Sequence, residues 1–148
     1  MNIFFLHPDP RVCARYHGDK HVIKMILETC QLLCSVWHIT DPLHHLYSPP
    51  YKRTHTNHPC TRWACKSLQN YSWLCCLGKE LCIEYTHRYG KVHKCEDYIR
   101  TLYTLQPNVK QVTLTSPPLC MPNKYKTHSS FIQCYRDYYV YEKQRMHA

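Results

Sequence analysis

At 148 residues the chain suits one compact domain burying roughly two-thirds of its unfolded surface, and is too short for two. With 44% apolar residues, 3 Gly and 10 Pro, the composition excludes a disordered or fibrous chain. Lys and Arg outnumber Asp and Glu by 19 to 10, a field that attracts polyanions or, more plainly, keeps a cationic surface solvated.

The opening run Met1-Asn2-Ile3-Phe4-Phe5-Leu6 is too short and lacks the basic lead-in for a signal peptide. It is expected to be a short strand or a buried arm, turned by His7-Pro8-Asp9-Pro10. From Arg11 or Asp19 to Trp37, residues Ile23, Ile26, Leu27, Cys30, Leu33, Cys34 and Trp37 recur at helical spacing. Gly18 separates a preceding turn from this main helix. Ile39 to Tyr51, with Asp41-Pro42 and Ser48-Pro49-Pro50, reads as an ordered loop.

Pro59 suits a helix's first turn and Gly90 its C-terminal cap, so one long central helix is expected between them, with Gly78 as a kink. Glu96 to Leu105 reads as a shorter helix ended by Pro107, and Gln106 to Lys126 as a wrapped connection with an extended piece near Val112 to Thr115. The last helix is expected from a cap at Thr127 or Ser129 to about Met146, with Phe131, Cys134, Tyr135 and Tyr138 inward. The expected fold is therefore all-α: a single helical domain over 1–148 with an N-terminal extended arm and long proline-containing loops. No stretch looks long and apolar enough to span a bilayer.

The 11 cysteines form no CxxC pair, so they read as reduced core residues, and neither a metal nor another cofactor is expected. Two short motifs concentrate chemistry. Tyr16-His17-Gly18-Asp19-Lys20-His21, with Lys24, crowds imidazoles, a carboxylate and amines at a helix start, a place suited to anions. Tyr51-Lys52-Arg53-Thr54-His55-Thr56-Asn57-His58-Pro59 leads into the next helix with cations and small hydrogen-bonding groups. Each also reads as a cap, a turn or a solvated face. The stretch from Glu84 to Lys94, containing Arg88 and Lys91, places cations at a helix C-terminus, where they offset the dipole. Convergence of His17, His21, His55 and His58 on one metal is a lesser alternative.

Taken together, MNIFFLHPDP, HGDKHVIKMILE, YKRTHTNHP, NYSWL, EYTHRYGKVHK and the terminal YRDYY resemble a family of small phage and large-DNA-virus proteins. That family is similar to pyrimidine-dimer DNA glycosylases of the endonuclease V type, which are all-helical single domains. The resemblance implies repair of damaged viral DNA by base removal and abasic-site cleavage, inside the infected host cell, in cytoplasm or nucleus. It further implies that an N-terminal amine, on Asn2 or Met1, attacks the sugar carbon with help from a first-helix carboxylate, Asp19 or Glu28. Lys20, Lys24, Arg53 and Arg62 would then grip phosphates, joined by Lys52, His55, Asn57, Arg88 and Lys91.

The expected partner is DNA, with RNA or a phosphorylated nucleotide as alternatives. Two other readings stay open. One is a phosphodiesterase or nuclease using His17, His21, His55 and His58 as acid and base; the other is a non-catalytic viral accessory protein that binds nucleic acid.

Overall fold

The computed structural model describes residues 2–144 and 146; Met1 and the ends of the expected last helix beyond Gln144 lie largely outside them. Among the described residues it holds six α-helices: α1 (Pro10–Tyr16), α2 (Asp19–Thr40), α3 (Pro59–Lys66), α4 (Leu68–Tyr89), α5 (Glu96–Thr104) and α6 (Phe131–Glu142). No strand occurs among these residues. The fold is all-α.

The core forms between α2 and α4, flanked by α1, α3 and α5. Helix α2 buries more than the predicted stripe: Val22 and Met25 are buried alongside Ile26, Cys30 and Leu33, whereas Ile23 is exposed. By length and composition α2 is apolar enough to cross a membrane, contrary to expectation, since polar residues interrupt its apolar run without lowering its mean hydropathy below 1.3. Here that apolar surface is spent on the core, and 61% of the window is buried.

The long helix expected from Pro59 to Gly90 is broken at Ser67, not kinked at Gly78. Ser67 adopts extended φ −151° and ψ 158°, closing α3 and capping α4 by accepting the Asn70 N–H. The free donors of the new first turn, Leu68 N–H and Gln69 N–H, bond to Gln111 O and Val112 O at 2.9 and 3.1 Å. The Val112 to Thr115 segment, expected to be extended, bends at Thr113 and forms no strand, and Asn70 anchors it by accepting the Thr115 N–H at 2.9 Å. Gly90, at φ 68°, caps α4 in the left-handed region as predicted.

Gly78 serves packing instead. A Cβ there would sit 3.2 Å from both Ile99 and Thr29, so its bare backbone lets α2, α4 and α5 meet. Helix α6 starts one residue later than expected, capped by Ser130, and stops at Glu142, short of the expected Met146, because Lys143 leaves helical geometry at φ −115° and ψ −84°; its inward tyrosines are Tyr135 and Tyr139, with Tyr138 only half-buried.

The arm Ile3 to Leu6 is buried without a sheet. Side chains replace the missing strand partners: Cys13 Sγ donates to Phe4 O at 3.1 Å, and Arg136 Nε to Leu6 O at 2.8 Å. Phe5 sits among Trp63, Trp73, Phe131 and Tyr135, with ring centroids 5.0 to 6.2 Å away.

Gly78→Val is predicted to overfill the three-helix contact and lower unfolding stability by about 1 to 3 kcal/mol, read by urea denaturation. An unchanged midpoint would show that α5 is not held against Gly78.

Candidate active site

Residues His21, Lys24, Met25 and Glu28 lie on successive turns of α2, so one face carries an imidazole, an amine, a thioether and a carboxylate in line. The arm closes this face with Asn2 and Phe4, and the end of α6 with Tyr138 and Lys143, leaving a hollow of about 130 Å³. Two elements distant in sequence therefore complete a site that α2 begins.

Asn2 is held on both sides. Its Oδ1 accepts the Ile3 N–H at 2.8 Å and its Nδ2 donates to Cys120 O at 2.9 Å, while the Cys60 thiol lies 3.5 Å from Oδ1. Residue 2 thus connects the hollow on α2 with the beginning of α3. Met1 lies outside the described residues.

The Glu28 side chain is 18% exposed, and its Oε2 pairs with Lys24 Nζ at 3.7 Å. Lys24 and Lys143 make the rim cationic while Glu28 supplies the acidic group within. His21 stacks on Phe4 at 5.2 Å and meets the Tyr139 hydroxyl through Nδ1 at 3.0 Å. That hydroxyl accepts the Gly18 N–H at 2.8 Å, and burial pushes its pKa up to about 12. Burial, reinforced by Lys24 and Lys143, lowers His21 to about 4. At neutral pH His21 is uncharged, an imidazole with one N–H to donate and one nitrogen to accept.

His17 is enclosed. Its Nδ1–H donates to Cys13 O at 2.8 Å, and burial lowers it to about 4. Asp19 is displaced from the hollow: its largely exposed carboxylate accepts from Arg88 NH1 at 3.1 Å. Arg88 is itself only 8% exposed and also donates to His17 O and to Arg15 O, bracing α4 against the α1–α2 junction. Lys20 is exposed at the α2 start and Lys91 lies beyond α4.

The second motif borders a different cavity of about 630 Å³, lined by Thr56, Asn57, Arg62, Trp63, Lys66 and the Ser116 to Pro118 turn, among others. Arg62 NH2 donates to Asn57 Oδ1 at 3.0 Å, and Lys52, Arg53 and His55 are exposed nearby in sequence. His58 caps α3, its Nδ1 accepting the Cys60 N–H at 3.0 Å. The four histidines do not gather: His17 and His21 flank Tyr139, whereas His55 and His58 face each other at 6.4 Å. Among the described residues, the three potential metal ligands that do meet are His58, Cys60 and Cys120.

Spacing alone overlooked Tyr138, Lys143 and Cys120, since each reaches its neighbours only through the fold. Glu28 carried a usable signal, lying two turns beyond His21 on one helical face.

The fold is a single helical domain in which a buried N-terminal arm places Asn2 on the hollow that Glu28 also lines. A family model described as pyrimidine dimer DNA glycosylase matches residues 1–97, and the chain belongs to that family. No curated protein and no solved structure matches it. The matched span contains the arm, α1 to α4, His21, Glu28, His58 and Cys60, whereas Cys120, Tyr138 and Lys143 lie beyond it. Family membership carries a pyrimidine-dimer glycosylase kind of function, with DNA as substrate.

An unfolded histidine takes up a proton near 6.5, whereas folded His17 resists until about 4, because burial penalises its charge. The stabilisation is full above pH 6.5 and declines as pH falls towards 4. At about 1.4 kcal/mol per pKa unit, His17 contributes on the order of 3 kcal/mol to this loss. Thermal unfolding at about pH 7 and pH 4.5 checks this: His17→Gln should narrow the difference between the two, and an unaltered difference would contradict it.

Proposed function

We propose that the chain excises one base of a pyrimidine dimer in duplex DNA and then cleaves the strand at the resulting abasic site. The observation that carries this reading is the meeting of Asn2, at the outer end of the buried arm, with Glu28 and His21 in one cationic hollow. The nucleophile is the N-terminal α-amine, on Asn2 after loss of Met1 or on Met1 itself. Such an amine has a pKa of about 8, so a usable fraction is uncharged at neutral pH.

The amine attacks the sugar C1′ and gives up a proton, forming a C1′–N bond as the glycosidic bond breaks; the base nitrogen keeps the electron pair and takes up a proton, and the base stays joined to the strand through the dimer. Ring opening then gives an imine, loss of a C2′ proton expels the 3′-phosphate, and water hydrolyses the imine to free the amine. Glu28 is the carboxylate suited to these proton transfers, because it shares the hollow with residue 2 while Asp19 is engaged by Arg88. Neutral His21 offers a hydrogen-bond donor to the sugar or the departing base. Lys24 and Lys143 on the hollow, with Lys20 exposed at the start of the same helix, suit the flanking phosphates.

Arg62, Lys66, Asn57 and Trp63 around the larger cavity suit a neighbouring stretch of the same DNA, with Lys52, Arg53 and His55 contributing charge or hydrogen bonds at its edge. The viral setting implied by the resemblance would locate this work inside the infected cell. A phosphodiesterase run by the four histidines has less support, because His17 is enclosed and His55 and His58 stand apart from His21.

Glu28→Gln is predicted to slow cleavage of ultraviolet-irradiated duplex by about 10²- to 10⁴-fold with little change in DNA affinity. Asp19→Asn should remain close to the unaltered protein. Loss of activity in Asp19→Asn with retention in Glu28→Gln would overturn the assignment.

A further inference from the structure

We propose that His58, Cys60 and Cys120 form a site for one soft divalent metal ion, Zn²⁺ by its chemistry, which fastens the arm, the start of α3 and the 106–130 connection together. The donor atoms of all three residues lie within 4.8 Å of one another. Cys60 Sγ and Cys120 Sγ are 3.8 Å apart. Tetrahedral zinc–thiolate bonds of about 2.3 Å separate two sulfurs by about 3.8 Å, so the thiols already stand at the required spacing. One imidazole and two thiolates are the donor set that selects zinc over magnesium or calcium.

Burial suits such a site. Cys60 is buried, whereas His58 and Cys120 are half-buried, so an ion has a route from solvent and is then partly shielded from it. Binding takes the thiol proton from each cysteine and releases both to solvent, leaving a neutral cluster of Zn²⁺ and two thiolates. A neutral imidazole has one free lone pair. His58 now spends it through Nδ1 on the Cys60 N–H, and ligation by that nitrogen would leave this first-turn donor to water.

The cysteine spacing hid this cluster because only His58 and Cys60 are close in sequence, and Cys120 arrives on the proline-rich connection. Asn2 ties the cluster to the hollow, since its Nδ2 donates to Cys120 O and its Oδ1 lies 3.5 Å from the Cys60 thiol. Water or this amide oxygen takes the fourth position. A bound ion would brace residue 2 through these contacts, and this holds whether or not the glycosylase reading does.

The test titrates the reduced, chelator-treated full chain with Co²⁺, read by thiolate-to-cobalt absorption, followed by displacement with Zn²⁺. One ion per chain is expected. Cys120→Ser and His58→Ala should each weaken binding by more than the about 10- to 100-fold that loss of an outer-shell partner costs, while Cys76→Ser should bind normally. Circular dichroism establishes that each variant is folded; if Cys120→Ser is not, His58→Ala decides. In the unaltered chain, Zn²⁺ should also protect Cys120 from iodoacetamide, read by mass spectrometry. Absence of the cobalt band, unweakened binding in His58→Ala, or a Cys60–Cys120 disulfide that excludes metal from the freshly reduced chain would each overturn the proposal.

Discussion

The structure depends on burying a tetrapeptide without regular structure inside a helical core. Ile3 to Leu6 has no neighbouring strand, and unpaired amides in such a place would each cost about 1 to 3 kcal/mol. The fold answers with side chains drawn from separate elements: Cys13 of α1 and Arg136 of α6 bond its carbonyls, and Trp73 of α4 takes Pro8 O at 2.8 Å. The arm is therefore as fixed as a helix would be, although it contributes no regular structure of its own. Its apolar anchors hold residue 2 at the surface end, where the chain emerges between α2, α3 and α6.

That arrangement lets hydrophobic packing set the geometry of the hollow. Phe4 packs on His21 and Tyr139, so the ring that holds the arm also orients the imidazole beside it. His21 stays neutral because its surroundings are partly apolar and its nearest charges are lysines. Glu28 is the acidic group among these cations. A proton acceptor, a neutral donor and two amines thus share a small volume in which their roles do not compete.

Much of this was visible in residue order. Pro59, Gly90 and the helical recurrence from Ile26 to Trp37 marked helices, and the apolar Ile3 to Leu6 marked a docked arm. Other features depended on partners distant in sequence. Ser67 breaks the central helix because Gln111 and Val112 are there to accept its new first-turn donors, and nothing near Ser67 announces them. The same holds for Tyr138 and Lys143 on the hollow. The density of ionisable groups around Asp19 drew attention to the helix start, yet helical phase puts Glu28 on the face with His21 and turns Asp19 towards Arg88.

The central claim is that the buried arm presents an N-terminal amine to damaged DNA. Borohydride reduction during incubation with ultraviolet-damaged duplex tests this directly, with the attachment point read by mass spectrometry of the proteolysed adduct. The account predicts one covalent link, on the N-terminal peptide and lost when that amine is blocked. A link mapped to a lysine side chain such as Lys24, or strand cleavage that proceeds with no trapped species, would contradict it.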